Sequence, residues 1–250
     1  MIRNTAPGLS SAVYGQLARR VPDVIDIVTI QTGPLARRSF ACSLKAHQPY
    51  FLGNYEPELV AAFHDAIRPG DVVFDIGGHF GYSALVAATI VGPKGRVVVF
   101  EANPDNCNRL RENVALNPDL AARVTIEQLA VADKVGRARF DGQSTSGHLS
   151  TSGIDVLTVT VDHYVATHGI RPAVIKMDIE GGETAALPSL RGVLHDIRPV
   201  LLIEIHDEAA WRALRDVATG AHYQVQTLRK GQWQPNDGWN GRELYRATAS

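Results

Sequence analysis

The sequence has almost no cysteine, no excess of either charge and no long apolar run. Two cysteines, Cys42 and Cys107, occur in 250 residues. That is too few for a disulfide framework or a cysteine-rich zinc site, so each reads as a small buried hydrophobe. Lys and Arg number 25 against 26 Asp and Glu, and the formal charge is -1. A nucleic-acid binder carries a basic excess, so this balance argues against one. Acidic and basic residues alternate without a patch suited to a membrane surface. No stretch of 18 apolar residues exists to span a bilayer. The first residues, Met1-Ile2-Arg3-Asn4, lack an apolar signal core, and the expected compartment is the cytoplasm. Repeats and low-complexity tracts are also missing.

What is present is a chain that is 45% apolar, enough for one α/β domain with a full core. Residues 1–50 read as an appendage, a substrate cover or an oligomer contact, and residues 51–250 as the main domain. In the appendage the pattern predicts a helix over 10–20 and a hairpin of 24–32 with 39–44 across Thr32-Gly33-Pro34. Pro57 opens a helix, because proline suits the first turn. From Asp71 strand and helix alternate. Strands are predicted at 72–75, 97–101, 124–129, 174–178 and 201–206, with helices starting near Gly81, Asn103, Val161 and Glu183. Pro188 marks a kink. Asp207 caps a helix carrying Trp211, Leu214 and Val217. Late strands at 223–228 and 243–246 read as an antiparallel edge pair. Short apolar strands joined by helices imply a parallel sheet covered on both faces. Ligands of such sheets lie beyond the carboxyl ends of the strands. There the chain places Asp75, Glu101, Asp178 and Glu204.

The turn after the first of these strands reads Asp75-Ile76-Gly77-Gly78-His79-Phe80-Gly81-Tyr82. Its glycines allow a sharp bend and close approach to a ligand, and the helix that follows points N–H groups into the same space. A dinucleotide fingerprint needs glycines where this chain has His79 and Tyr82, and a phosphate loop needs a lysine that is missing. An acid ahead of the glycines repels a pyrophosphate. It suits a ligand with an ammonium group and hydroxyls, as S-adenosylmethionine is. Glu101, ending the next strand, can take both hydroxyls of a ribose. An NAD-dependent oxidoreductase, a non-catalytic binding module and an unliganded tight turn remain as alternatives.

Four blocks of sequence sharpen this. Gly53-Asn54-Tyr55-Glu56-Pro57, the run from Pro69 to Gly77, Lys176-Met177-Asp178-Ile179-Glu180-Gly181-Gly182-Glu183, and the run from Pro199 to His206 occur in order with sensible spacing. Over about residues 50–228 the chain resembles the FkbM family of S-adenosylmethionine-dependent methyltransferases. The resemblance implies a class I methyltransferase fold, Rossmann-like, with a seven-stranded, mostly parallel sheet whose last strand is antiparallel. It implies methyl transfer, most often to a hydroxyl of a sugar or natural product, and hence a small hydroxyl-bearing acceptor. Carried over by position, Asp75, Gly77, Gly78, His79, Gly81 and Tyr82 shape the methionine end of the cofactor site. Glu101 with Ala102 and Asn103 holds the ribose, Gln128 and Leu129 meet the adenine, and Tyr55 and Glu56 lie near the cofactor. The family commonly has Ala-Asn where this chain has Gly78-His79.

The acceptor hydroxyl must lose a proton. Asp178 ends the fourth strand, where it is also expected to border the cofactor beside its methyl group, and Glu204 and His206, two apart on the fifth, share a face. Three readings of this trio stand. His206 or Asp178 is a general base. All three hold a divalent ion such as Mg2+. Or Glu204 pairs with Lys176 or backbone while His206 caps a helix. Glu180 is a candidate to reach the acceptor, and Glu183 reads as a partner of the helix dipole. Residues 143–153, rich in Ser, Thr and Gly, read as a lid or a solvated linker, with His148 as a second base. His47 and the other histidines show no ligand spacing.

Overall fold

The computed structural model describes residues 22–141, 148–150, 153–229, 231–236, 238–239 and 241–250, with 148–150 as backbone only. The helix expected over 10–20 lies outside these residues, as does most of the expected lid.

The described residues open with a hairpin, β1 (Ile25–Thr29) against β2 (Ser39–Ser43), in the predicted place. Two helices follow, α1 (Gln48–Leu52) and α2 (Pro57–Ala66), the second with proline in its first turn. Then come β3 (Val72–Ile76), α3 (Tyr82–Val91), β4 (Arg96–Phe100), α4 (Pro104–Ala115), α5 (Pro118–Ala121) and β5 (Val124–Glu127). Asn103 caps α4 by accepting hydrogen bonds from the N–H groups of Asp105 and Asn106. The chain goes on through β6 (Ala130–Val131), β7 (Gly136–Asp141), β8 (His148–Ser150), β9 (Ile154–Val159), α6 (Val161–His168) and β10 (Val174–Met177). A short α7 (Glu183–Ala186) turns into a 3-10 segment at Pro188 and then into α8 (Arg191–Asp196). Last come β11 (Val200–Ile205), α9 (Glu208–Gly220), capped by Asp207, then β12 (Tyr223–Arg229), β13 (Gln232–Pro235) and β14 (Glu243–Ala249).

Eight strands form the main sheet in the order β13-β12-β14-β11-β10-β3-β4-β5. β3, β4, β5, β10 and β11 are parallel, and β14 runs antiparallel between β11 and β12. Two expectations need correction. The late pair is not at the edge, because Tyr245 and Ala247 of β14 are buried apolar residues that belong in the sheet interior. The edge is taken by an eighth strand, β13, paired with β12. A four-stranded sheet, β6-β9-β7-β8, was not foreseen. It begins where the strand expected to reach 129 stops at Glu127, and its β7, Gly136-Arg137-Ala138-Arg139-Phe140-Asp141, has too little apolar content to be recognised.

Period-two alternation sends Val97 and Val99 to one face and Val98 and Phe100 to the other. The first face packs on Phe63, Leu85 and Leu110, and the second on Ile175, Met177, Ile203 and Trp211. Ile30, Leu35, Phe40 and Cys42, around the hairpin, join the first cluster. Asn113 of α4 tethers this hairpin by donating to Ala41 O and accepting from Ala41 N. Both cysteines are buried, and burial pushes each thiol up to about 12, so neither is a nucleophile at neutral pH. Among the described residues no helix is long and apolar enough to cross a membrane.

Candidate active site

A cavity of about 320 Å³ opens at the carboxyl ends of β3 and β4. Its wall includes Tyr55, Gly77, His79, Glu101, Ala102, Leu129, Asp178 and Glu180, all expected in the site, together with His47, Tyr50, Phe100, Val131 and Phe140, which were not. Gly77 has φ of 83°, and a Cβ there would lie 1.8 Å from the carbonyl oxygen of Asp178. Only glycine allows the chain leaving β3 to turn so close to the chain leaving β10.

Glu101 is buried, and its two oxygens accept from the N–H groups of His79 and Asn103 at 2.8 Å each, and from Asn106 Nδ2 at 3.4 Å. Burial raises its pKa, and the hydrogen bonds from Asn103 and His79 oppose that rise. The turn thus fixes the carboxylate, which keeps lone pairs for hydroxyl donors in the cavity. His79 has φ of 48°, in the left-handed region where Asn and His are enriched. Its ring stacks on Phe80 at 3.9 Å and its Nδ1 lies 3.0 Å from Tyr50 Oη. Burial, aided by the charges of His47 and Lys176, pushes its pKa down to about 4.

Several residues expected to touch the cofactor lie elsewhere. Asp75 is fully buried behind the cavity wall. It stands opposite Lys176 in the β3–β10 register, 3.2 Å from Lys176 Nζ, and accepts from Ser83 Oγ at 2.6 Å. The ammonium that Asp75 meets is therefore the protein's own. Lys176 also donates to Gly77 O at 2.7 Å, so the pair holds the glycine turn onto β10. Gly78 packs under Val99 and Gly81 against Leu110. Tyr82 is buried among Phe40, Tyr50 and Tyr55. Asn103 is spent on its cap. Gln128 is exposed and accepts from Arg111. It lies beyond the strand because β5 ends at Glu127, two residues earlier than predicted.

Beyond Asp178 is a second cavity of about 240 Å³, lined by Glu56, Glu58, Leu59, Lys176, Asp178, Glu204, Arg242 and Leu244 among others. Asp178 lines both cavities. His206 lies beside it, with Nε2 at 3.6 Å from Asp178 Oδ1, 3.4 Å from Glu180 Oε2 and 3.8 Å from Glu204 Oε1. The trio expected from sequence is gathered, but in a different arrangement. Glu204 is taken by Arg242, whose Nε donates to it and whose Nη2 reaches Glu180 at 3.2 Å. Glu204 pairs with neither Lys176 nor backbone, and Arg242, in a Gly- and Asn-rich loop, gave no signal in the sequence. Glu183 is fully buried and does more than face a helix dipole. One of its oxygens accepts from Ile179 N and Gly181 N at 3.2 Å and lies 2.9 Å from His206 Nδ1. This holds the imidazole with Nε2 toward Asp178. Burial works against a charged ring, but the hydrogen bond and charge of Glu183, with Asp178, outweigh it and raise the pKa. The side-chain oxygen Asp178 Oδ1, the ring nitrogen His206 Nε2 and the carboxylate oxygen Glu183 Oε2 are buried without a hydrogen bond. Asp178, Glu183 and His206 each offer a ligand atom within 4.8 Å of the others. His148 has a described backbone on β8, paired with Asp141.

This sheet order, with its last strand β14 inserted antiparallel between β11 and β12 and its cavity over β3 and β4, defines a class I S-adenosylmethionine-dependent methyltransferase fold. The model of the methyltransferase FkbM domain matches residues 75–225. The chain belongs to that family. It is 26% identical over 157 residues to the hexuronic acid methyltransferase AglP of Haloferax volcanii, covering 60% of this chain and 62% of that protein. The FkbM methyltransferase of Methylobacillus flagellatus superposes with a TM-score of 0.52 at 20% identity, covering 94% of this chain and 58% of that one. An O-methyltransferase of Bacillus cereus, in complex with S-adenosylhomocysteine, superposes with a TM-score of 0.50 at 14% identity, covering 78% and 82%. The chain therefore spans about six tenths of the length of the FkbM and AglP relatives.

Proposed function

We propose that this protein is an S-adenosylmethionine-dependent methyltransferase that methylates a hydroxyl oxygen of a small acceptor. The carrying observation is that Asp178 lines both cavities, so one carboxylate borders a site for the cofactor and a site for an acceptor. The AglP relative, a hexuronic acid methyltransferase by name, supports an oxygen acceptor on a sugar-like molecule.

Bound in the larger cavity, S-adenosylmethionine supplies an electrophilic methyl on a sulfonium. Glu101 would hold the ribose hydroxyls, and Leu129, Val131 and Phe140 form the apolar side of the cavity. Asp178 would orient the acceptor hydroxyl, and the Asp178–His206 pair would take its proton, while the cofactor would supply the methyl group, the methyl–sulfur bond breaking as the C–O bond forms and leaving a neutral thioether. Glu183 keeps His206 turned to that task. Alignment supplies most of the acceleration, up to about 7–11 kcal/mol in well-oriented systems. Incubation with isotopically labelled S-adenosylmethionine and hydroxyl acceptors should give a methyl ether with equimolar S-adenosylhomocysteine. Labelling confined to nitrogen acceptors would refute the reading.

A second reading is favoured by the unpartnered atoms of Asp178, Glu183 and His206. A divalent cation held there would acidify the acceptor hydroxyl. Dialysis against EDTA decides between the two, since unchanged turnover removes the metal.

A further inference from the structure

The second cavity is strongly acidic. Five carboxylates line it, those of Glu56, Glu58, Asp178, Glu204 and Glu243, against two cations, Lys176 and Arg242. Neither cation has charge to spare. Lys176 is buried on Asp75 and Gly77 O, and Arg242 serves both Glu204 and Glu180. An anionic group entering here would meet an excess of carboxylates over cations in a partly desolvated space, where repulsion is weakly screened. Hydroxyl and ammonium groups, by contrast, are donors to carboxylate oxygens.

Resting on the methyltransferase reading, we infer that the acceptor is a neutral or amine-bearing polyol and not a uronate. The acceptor class thus differs from the one in the AglP relative's name. Selectivity resides in the electrostatics of the second cavity. Glu58, at the start of α2, is exposed and belongs to the cavity rim, so its charge can be reversed without touching the buried pairs.

The test uses the full chain loaded with S-adenosylhomocysteine at pH 7. Three probes, methyl glucoside, its 2-amino-2-deoxy analogue and methyl glucuronide, are titrated with saturation-transfer NMR as the readout. The neutral and amino glycosides should bind at least tenfold more tightly than the glucuronide. Glu58→Lys should cut the amino-to-uronide affinity ratio by about tenfold while S-adenosylhomocysteine affinity is unchanged. Glucuronide binding as tight as the others, no binding of the neutral and amino probes, or an unmoved ratio in Glu58→Lys would each overturn the inference. Calorimetry of S-adenosylhomocysteine on the same sample separates the two claims. Failure of that binding sinks the methyltransferase reading, whatever the glycosides do.

Discussion

The two halves of the site are built differently. The cofactor half is built around one continuous stretch, residues 75–103, where a glycine turn folds back on its neighbouring strand and backbone N–H groups hold Glu101, with His47, Tyr50, Leu129 and Asp178 completing the wall. Its carboxylate, Glu101, accepts from the protein's own N–H groups, and the buried atoms left there without a hydrogen bond, Asp75 Oδ1 and Tyr82 Oη, belong to residues that do not line the cavity. The acceptor half is assembled from Glu56, residues 178–183, 204–206 and 242, which meet only when the sheet is complete. It retains buried atoms with no hydrogen bond. The first half is a finished cradle, and the second is a set of charges held ready for a proton, a cation or an acceptor. Binding should therefore depend on the first half and turnover on the second.

The strongest break of this contrast is His206→Ala. It should lower kcat by about 10²–10⁴ with S-adenosylhomocysteine affinity within about twofold of wild type, as steady-state kinetics and calorimetry will show. If cofactor affinity fell equally, the halves would not be separable. Glu101→Ala should act the other way, weakening S-adenosylhomocysteine by about 10–100-fold, the range for losing hydrogen bonds to a charged group. Glu183→Gln leaves an acceptor for His206 Nδ1 but removes the charge. We expect about a tenfold loss of kcat with little change in the cofactor's dissociation constant, and full activity would show that Glu183 merely braces its loop.

The smallest effect concerns pH. His79 is depressed in the folded protein to about 4, from about 6.5 when unfolded. Between these values the unfolded chain binds more protons, so stability falls as pH drops from about 6.5 toward 4. His79→Asn should flatten that part of a melting-temperature profile, and an unchanged slope would assign the acid sensitivity elsewhere.

The same contrast explains what the sequence reveals. The β3–α3 turn and Glu101 are visible because glycines and strand-end acids lie within 27 residues of one another. Their roles were less visible. Asp75 looks like a ligand for an ammonium group, and in the fold it has one in Lys176, a cross-strand neighbour 101 positions away in the chain. His47 and Tyr50, which wall the cavity, show no period or spacing, since the hairpin and α1 must dock before they face it. Arg242 was hidden for the same reason, because its partners are Glu180 and Glu204, 62 and 38 positions away. The places of the parallel strands along the chain followed from short apolar runs. The eighth strand β13 and the β7 strand of the small sheet did not, because both are polar.

A crystal structure with S-adenosylhomocysteine bears most directly on the central claim. We expect the ribose hydroxyls on Glu101 and the sulfur turned toward Asp178, with the second cavity left free for an acceptor. A ligand seated in the second cavity, or one whose sulfur points away from Asp178, would contradict it.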